Sequence, residues 1–222
     1  MSNEADTCRQ FVVPALQAAG WDHAPHAIQE QRYFTDGRIR IMRDGTVKRG
    51  RRRRADYLLR YGPDLPIAVV EAKASYRHPA EGMQQAKEYA QTLGLPYAFS
   101  TNGTGFVQWD VAAGTEVAVE PFPSPEELWS RYRDACALGP ETAEKLAVPG
   151  RPDPAKRLRY YQEIAVNRAL QAVLTGKRRL LLTICTGAGK TQIAFQLCWR
   201  LTEARWNRHG PLASRRSCIS LI

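Results

Sequence analysis

The stretch Ile67-Ala68-Val69-Val70-Glu71-Ala72-Lys73 decides how this chain is read. Ile67 to Val70 is an apolar run of the length and composition of a buried strand. Turn chemistry should close such a strand, yet a carboxylate and an ammonium follow, two residues apart. Side chains at i and i+2 leave the same face of a strand, so Glu71 and Lys73 are expected to point together. Upstream, Ala55–Leu59 reads as another strand, opened by Asp56, and a loop through Gly62, Pro63 and Pro66 returns the chain alongside it. Two carboxylates and a lysine at a strand end make a site for a hard divalent cation and a water, the needs of phosphodiester hydrolysis.

Working outward, Glu4 to Ala19 reads as an amphipathic helix with Phe11 and Leu16 on one face and Gly20 as its stop. Asp36-Gly37 and Asp44-Gly45 are turn signals around Ile39 and Ile41, which suggests a hairpin. Pro79 opens a helix that runs to Leu93 and is closed by Gly94 and Pro96. Gln85 and Tyr89 share one face of that helix at i and i+4. Tyr97–Ser100 and Phe106–Trp109 read as two strands joined by Asn102-Gly103, and are taken as scaffold. Strand, strand, helix, strand, strand predicts an α/β sandwich. Prolines then crowd the chain from Pro121 to Pro154 around a helix at Glu126–Leu138, the mark of a connector between domains. Beyond it, Arg159–Leu174 reads as a helix, Leu180–Ile184 as a buried strand and Lys190–Arg205 as a helix.

At 222 residues the chain holds one large domain or two small ones, and 44% hydrophobic residues suffice for a packed core. No apolar stretch reaches the roughly 20 residues of a membrane span, and Met1 to Gln10 carries no signal core. Five cysteines without CxxC spacing point to reduced thiols in a cytoplasm rather than to a zinc module, with Cys185 read as a small buried apolar residue. The net charge of +10 is concentrated: ten of the basic residues lie between Arg38 and Arg60, against Asp44 and Asp56. The run Arg51, Arg52, Arg53 and Arg54 leads straight into Asp56, and cations beside a carboxylate site fit a groove for a polyanion's phosphates.

In this reading Asp56 and Glu71 hold one or two Mg²⁺, and Lys73 orients a water or neutralises charge growing on the phosphorane. Gln85 and Tyr89 supply hydrogen bonds toward the site, and the Ala72 carbonyl is a further possible ligand. The combination of Asp56, Glu71-Ala72-Lys73 and Gln85-x-x-x-Tyr89 resembles the PD-(D/E)xK nuclease superfamily, in its QxxxY branch. Asp56 follows Ala55 rather than proline, a departure that leaves the match intact.

Thr186-Gly187-Ala188-Gly189-Lys190-Thr191 fits the core of a Walker A loop. Backbone N–H groups of Gly187, Ala188 and Gly189 would cradle a β-phosphate, Lys190 would reach the β- and γ-phosphates, and the Thr191 hydroxyl would bind Mg²⁺. The strict form wants glycine where Ile184 stands; the looser form present resembles that of superfamily 2 helicases. Leu158-Arg159-Tyr160-Tyr161-Gln162 resembles the Q motif of that superfamily, by which Gln162 would read an adenine edge with Tyr161 or Arg159 near the base. After Thr191 the only acidic residue is Glu203, so no Walker B pair follows. The motor is expected to be incomplete here, with ATP binding weak or absent and no ATP hydrolysis by this chain alone. Residues 211–222 read as a further strand cut short, or as out-of-frame sequence.

A nuclease, a linker and a superfamily 2 motor in this order resemble the restriction (R) subunit of a type I restriction–modification enzyme, at the length of its N-terminal part. Phe195 to Leu201 adds to the match. The expected fold class is α/β: a PD-(D/E)xK restriction-endonuclease-like domain over residues 1–122, a Pro-rich linker over 123–157, and an incomplete RecA-like P-loop domain over 158–222. The resemblance implies a Mg²⁺-dependent DNA endonuclease module, normally coupled to ATP-driven translocation. Its implied partners are double-stranded DNA and the methylation and specificity subunits, in a cytoplasm. A DNA-repair nuclease–helicase of the same architecture, and a non-catalytic product that binds DNA or nucleotide, are the alternatives; a nucleotide kinase lacks an acceptor motif.

Overall fold

The computed structural model describes residues 4–35, 52–153 and 157–206, together with the backbone of 39–41 and 47–49. It divides into two compact units, residues 1–135 and 136–222. In the first, helices α1 (Glu4–Thr7) and α2 (Val13–Ala18) are joined by one wider π-helical turn, Cys8–Val12. The strands are β1 (Ala27–Thr35), β2 (Ile39–Ile41), β3 (Val47–Arg49), β4 (Arg52–Gly62), β5 (Leu65–Ala72), β6 (Tyr97–Thr101), β7 (Phe106–Asp110) and β8 (Glu116–Val119). Helix α3 (Met83–Leu93) lies between β5 and β6, and α4 (Pro125–Ala135) closes the unit.

Six strands form one sheet in the order β1-β4-β5-β6-β7-β8, and β2 pairs with β3 as the expected hairpin. The turn signals of that hairpin, Asp36-Gly37 and Asp44-Gly45, and Arg51 of the basic run lie outside the described residues. β5 is buried along nearly its whole length, which is why its sequence is a continuous apolar run rather than an alternating one. Its partners run antiparallel on one side (β4) and parallel on the other (β6). A parallel pair needs a long crossover, and the short 3₁₀ turn Pro79–Gly82 followed by α3 supplies it. Gly94 ends α3 in the left-handed region at φ 67°, where glycine has no Cβ to clash.

The structure departs from the sequence reading in three places here. The strand expected over Ala55–Leu59 starts earlier: Arg52, Arg53 and Arg54 of the basic run begin β4 and pair with Thr35, Phe34 and Tyr33 of β1. The Arg52 guanidinium sits 3.9 Å from the centroid of the Tyr33 ring, and Arg53 forms an ion pair with Glu88 of α3. Arg60, counted with the same cluster, is buried and donates to Gln29 and to the Pro63 carbonyl, so it is spent inside the fold. Phe11 is 41% exposed, whereas Thr7, Val12 and Leu16 form the buried face, because the π turn rotates the helix between them.

Helix α4, read from sequence within the connector, packs on the first unit. Trp129 stacks on Tyr61 at 4.7 Å between centroids, Trp21 donates to the Pro123 carbonyl at 2.9 Å, and His26 bridges the Tyr61 carbonyl and Glu126. In the second unit, α5 (Pro140–Ala147), α6 (Tyr160–Leu174) and α7 (Lys190–Glu203) pack together. Leu180–Ile184, expected as a buried strand, has no strand partner among the described residues, and Leu181 is 90% exposed. A strand of that composition is stable only between neighbours, and without them Cys185, expected to be buried, is exposed too. The segment 211–222 lies outside the described residues.

Candidate active site

The ladder between β4 and β5 pairs Tyr57 with Val70 and goes no further toward Ala72. Beyond that point the Asp56 carboxylate replaces a backbone partner, accepting the Ala72 N–H through Oδ2 at 3.0 Å. On its other side, the Lys73 N–H still reaches the Thr101 carbonyl at 2.8 Å. β4 thus parts from β5 where the chemistry-bearing side chains emerge. Lys73 Nζ donates to Glu71 Oε1 at 3.0 Å and to Gln85 Oε1 at 3.3 Å, and Gln85 Nε2 donates to the Tyr89 hydroxyl at 2.7 Å. The Tyr89 ring meets Phe34 edge-on at 5.0 Å. The five residues singled out from spacing are therefore brought together, with Gln85 gripping Lys73 rather than standing free.

The electrostatics of the site are set by burial. Glu71 is 2% exposed, and its Oε2 is buried without a hydrogen-bond partner. Burial, and then the charge of Asp56, push its carboxyl up to about 8, against the pull of Lys73. Burial likewise raises the Asp56 carboxyl, with the Ala72 N–H opposing. Burial works against the Lys73 ammonium, but its hydrogen bond to Glu71 and the surrounding carboxylates outweigh that and hold it above its usual value.

Two neighbours of this site were not singled out from sequence. A Cβ on Gly82 would stand 2.8 Å from Ser100 Oγ, 3.1 Å from Glu71 Cγ and 3.2 Å from Lys73 Cε. Only a residue without a side chain lets the crossover approach so closely; a glycine one turn into a Pro-opened helix was the available clue. Gly82→Ala should leave the fold intact at a cost of about 1–3 kcal/mol, while displacing Glu71 and Lys73. Any activity that depends on these two side chains should fall about tenfold or more, measured beside the thermal midpoint. Asn102, taken from sequence as scaffold, is the second. Its amide donates to the Arg77 carbonyl at 2.7 Å and to the Ser75 carbonyl at 3.5 Å, and its carbonyl accepts from Thr104 and Gly105.

In the second unit, Gly187 and Gly189 take left-handed φ values of 79° and 86°, and Gly189 caps α7, whose first residues Lys190 and Thr191 are exposed. Gln162 lies against this turn. Its Oε1 accepts the Arg159 N–H at 2.9 Å, its Nε2 donates to the Ala188 carbonyl at 2.9 Å, and the Tyr161 hydroxyl reaches the same carbonyl at 3.3 Å. A Cβ on Gly189 would fall 2.3 Å from Gln162 Nε2. Gly189→Ala should therefore distort the loop and push Gln162 away. Whatever weak affinity the parent chain has for a fluorescent ATP analogue should fall about tenfold or more in the variant.

An α/β sheet with Asp56, Glu71 and Lys73 at the parting of two strands defines a restriction-endonuclease-like domain, and a phosphate loop opens the P-loop region that follows it. A family model for the N terminus of the type I restriction enzyme R protein matches residues 34–117, and one for the res subunit of type III restriction enzymes matches 155–214. The chain is 38% identical over 212 residues to the EcoAI type I restriction endonuclease subunit of Escherichia coli, covering 91% of this chain. It is 30% identical over 218 residues to the EcoKI endonuclease subunit of Escherichia coli K12, covering 73% of this chain. It spans 26% and 18% of the lengths of those two relatives. A solved fragment assigned as an HsdR subunit of a type I restriction enzyme from Vibrio vulnificus YJ016 superposes with a TM-score of 0.83 at 49% identity. That match covers 94% of this chain and 40% of the other. By these likenesses the chain is similar to the N-terminal region of type I restriction enzyme R subunits.

Proposed function

We propose that this chain carries the DNA-cutting site of its R subunit, with Asp56, Glu71 and Lys73 hydrolysing a phosphodiester in the presence of Mg²⁺. The observation that carries the reading is the buried, unpartnered Glu71 Oε2 beside Asp56 and Lys73. Two carboxyls pressed together by burial gain from a shared cation, so the donor set fits a divalent metal. Among the described residues no group of three or more His, Cys, Asp or Glu could hold a metal. Two carboxylates leave room for water and phosphate oxygens, as Mg²⁺ prefers. When bound, the ion would polarise the scissile phosphate and lower the pKa of its water.

The chain's own residues supply the rest. Asp56 and Glu71 provide negative charge from adjoining strands, and Lys73, held by Gln85, places its ammonium where charge grows on the phosphate. Tyr89 fixes Gln85. Arg52 and Arg54 are exposed on the strand that carries Asp56 and would hold the DNA backbone, with Arg51 assigned to the same role from sequence. In the second unit, Gly187 to Thr191 would bind the phosphates of ATP. Gln162 keeps one amide hydrogen and one lone pair beyond its two internal bonds, enough to contact an adenine edge as well. Translocation and association with methylation and specificity subunits belong, in this reading, to the whole R subunit.

The test is nicking of supercoiled plasmid by the purified chain with Mg²⁺ or Mn²⁺, compared with Asp56→Ala and Lys73→Ala. Nicking by the parent chain that both substitutions reduce to background supports the assignment. Equal nicking by parent and variants rejects it.

A further inference from the structure

The loop that follows Lys73 is held from several directions. Thr7 Oγ1 accepts the Ser75 N–H at 3.1 Å, and the Arg77 N–H reaches the Ala74 carbonyl at 2.9 Å. Asn102 donates to the Ser75 and Arg77 carbonyls, and His78 Nδ1 accepts the Ala80 N–H at 3.2 Å. At its centre Tyr76 is 69% exposed, though both its chain neighbours are tied down. A single exposed aromatic residue is ordinary, but one on a braced loop three residues from Lys73 is not. The Arg77 guanidinium lies over the Tyr76 ring at 5.7 Å from its centroid and is itself held by Glu81. One face of the ring is backed by a cation, and the exposed ring is carried by the loop that leads directly out of Lys73.

We infer that Tyr76 is a stacking platform for an unpaired nucleobase next to the scissile phosphate. This rests on the nuclease reading above and adds to it a preference for DNA whose strands have separated at the cut. The chemistry is that of a flat π-face backed by a guanidinium, in a unit whose β4 begins with exposed arginines able to attract a sugar–phosphate backbone. Every base has a π-face, so such a contact tolerates any sequence. Arg77 and His78, also exposed, complete a rim suited to a polyanion rather than to an apolar partner.

The probes are two oligonucleotides of one sequence containing 2-aminopurine, one single-stranded and one in a fully paired duplex. They are titrated with the chain in Ca²⁺, so that binding is read without cleavage. The expected result is tighter binding of the single strand, with fluorescence quenching. Tyr76→Ala should weaken single-strand binding about tenfold or more and abolish the quenching, while duplex binding changes little. Tyr76→Phe and Tyr76→Trp should restore both, because stacking needs the ring and not the hydroxyl. Single-strand binding by Tyr76→Ala equal to that of the parent chain overturns the inference. So does an equal loss on both DNAs that Tyr76→Phe fails to rescue. Plasmid nicking separates this from the parent reading. Nicking with Tyr76-independent binding removes the platform alone, whereas Tyr76-dependent stacking without nicking removes the nuclease assignment alone.

Discussion

Replacing Glu71 by glutamine is expected to abolish metal-dependent nicking and, at the same time, to make the metal-free chain more stable above neutral pH. The carboxyl is buried, and in the folded chain its pKa lies near 8 against an ordinary 4.5. Below 4.5 both folded and unfolded chains hold the proton, so the group contributes no pH dependence. Between 4.5 and 8 the unfolded chain gives the proton up while the folded chain keeps it. The folded state then binds more protons than the unfolded one, so stability falls as pH rises through this window and levels off above it. Glutamine keeps the shape, removes the titration, and should recover on the order of a few kcal/mol at pH 9. Denaturation midpoints of the two chains in EDTA should coincide near pH 4 and diverge toward pH 9. Divergence in the opposite sense would show that Glu71 is ionised and satisfied without a metal. With Mg²⁺ present the parent chain should regain stability and the variant should not, since the cation repays the buried charge only where a charge exists.

Arg200→Ala is expected to unfold the second unit while leaving the first unchanged. Arg200 is 1% exposed and donates to the Val148 carbonyl at 2.7 Å, the Leu146 carbonyl at 2.6 Å and Asn167 Oδ1 at 2.5 Å. One guanidinium of α7 thus satisfies orphan carbonyls at the end of α5 and a side chain of α6. One turn earlier, Gln196 does the same for both polar groups of the Arg151 backbone, accepting its N–H and donating to its carbonyl at 3.0 Å each. Removing the guanidinium takes away the donor to three acceptors, the Leu146 carbonyl among them buried, and opens a cavity, a loss of about 3 kcal/mol or more. A small three-helix unit has little more than that in total. Amide exchange should become fast across 140–203 and stay slow in β5 and β6. Arg200→Lys should rescue only in part, because one ammonium cannot reach three acceptors in a fork. Retained protection in α6 and α7 would show that apolar contacts alone hold the unit.

Sequence reading succeeded where a local pattern carried the information. β5 was legible because a strand covered on both faces must be apolar throughout, and α3 because Pro79 and Gly94 mark its ends. Asp56, Glu71, Lys73, Gln85 and Tyr89 were legible as a spacing, and the structure joins them. β1 was not, since its run Gln29-Glu30-Gln31-Arg32 lies at the sheet edge, where nothing demands apolar residues. β8, four residues with three exposed, is the other edge. Leu180–Ile184 shows the opposite failure: an apolar run announces burial but cannot say whether the neighbours that would bury it are at hand. Gly82, Asn102 and Tyr76 gain meaning only from what stands beside them in space, so no spacing along the chain could have revealed them.

The single parallel pairing among the described strands, β5 with β6, carries a consequence for when the site can assemble. β4 and β5 form a hairpin and can meet early, which puts Asp56 near Glu71 and Lys73 with nothing to orient them. Gln85, Ser100 and Asn102 arrive only when the crossover through α3 closes, and that closure has the long loop that makes parallel pairing slow. A chain still emerging from the ribosome, or one partly unravelled, would therefore hold the reactive groups without the brace that aims them.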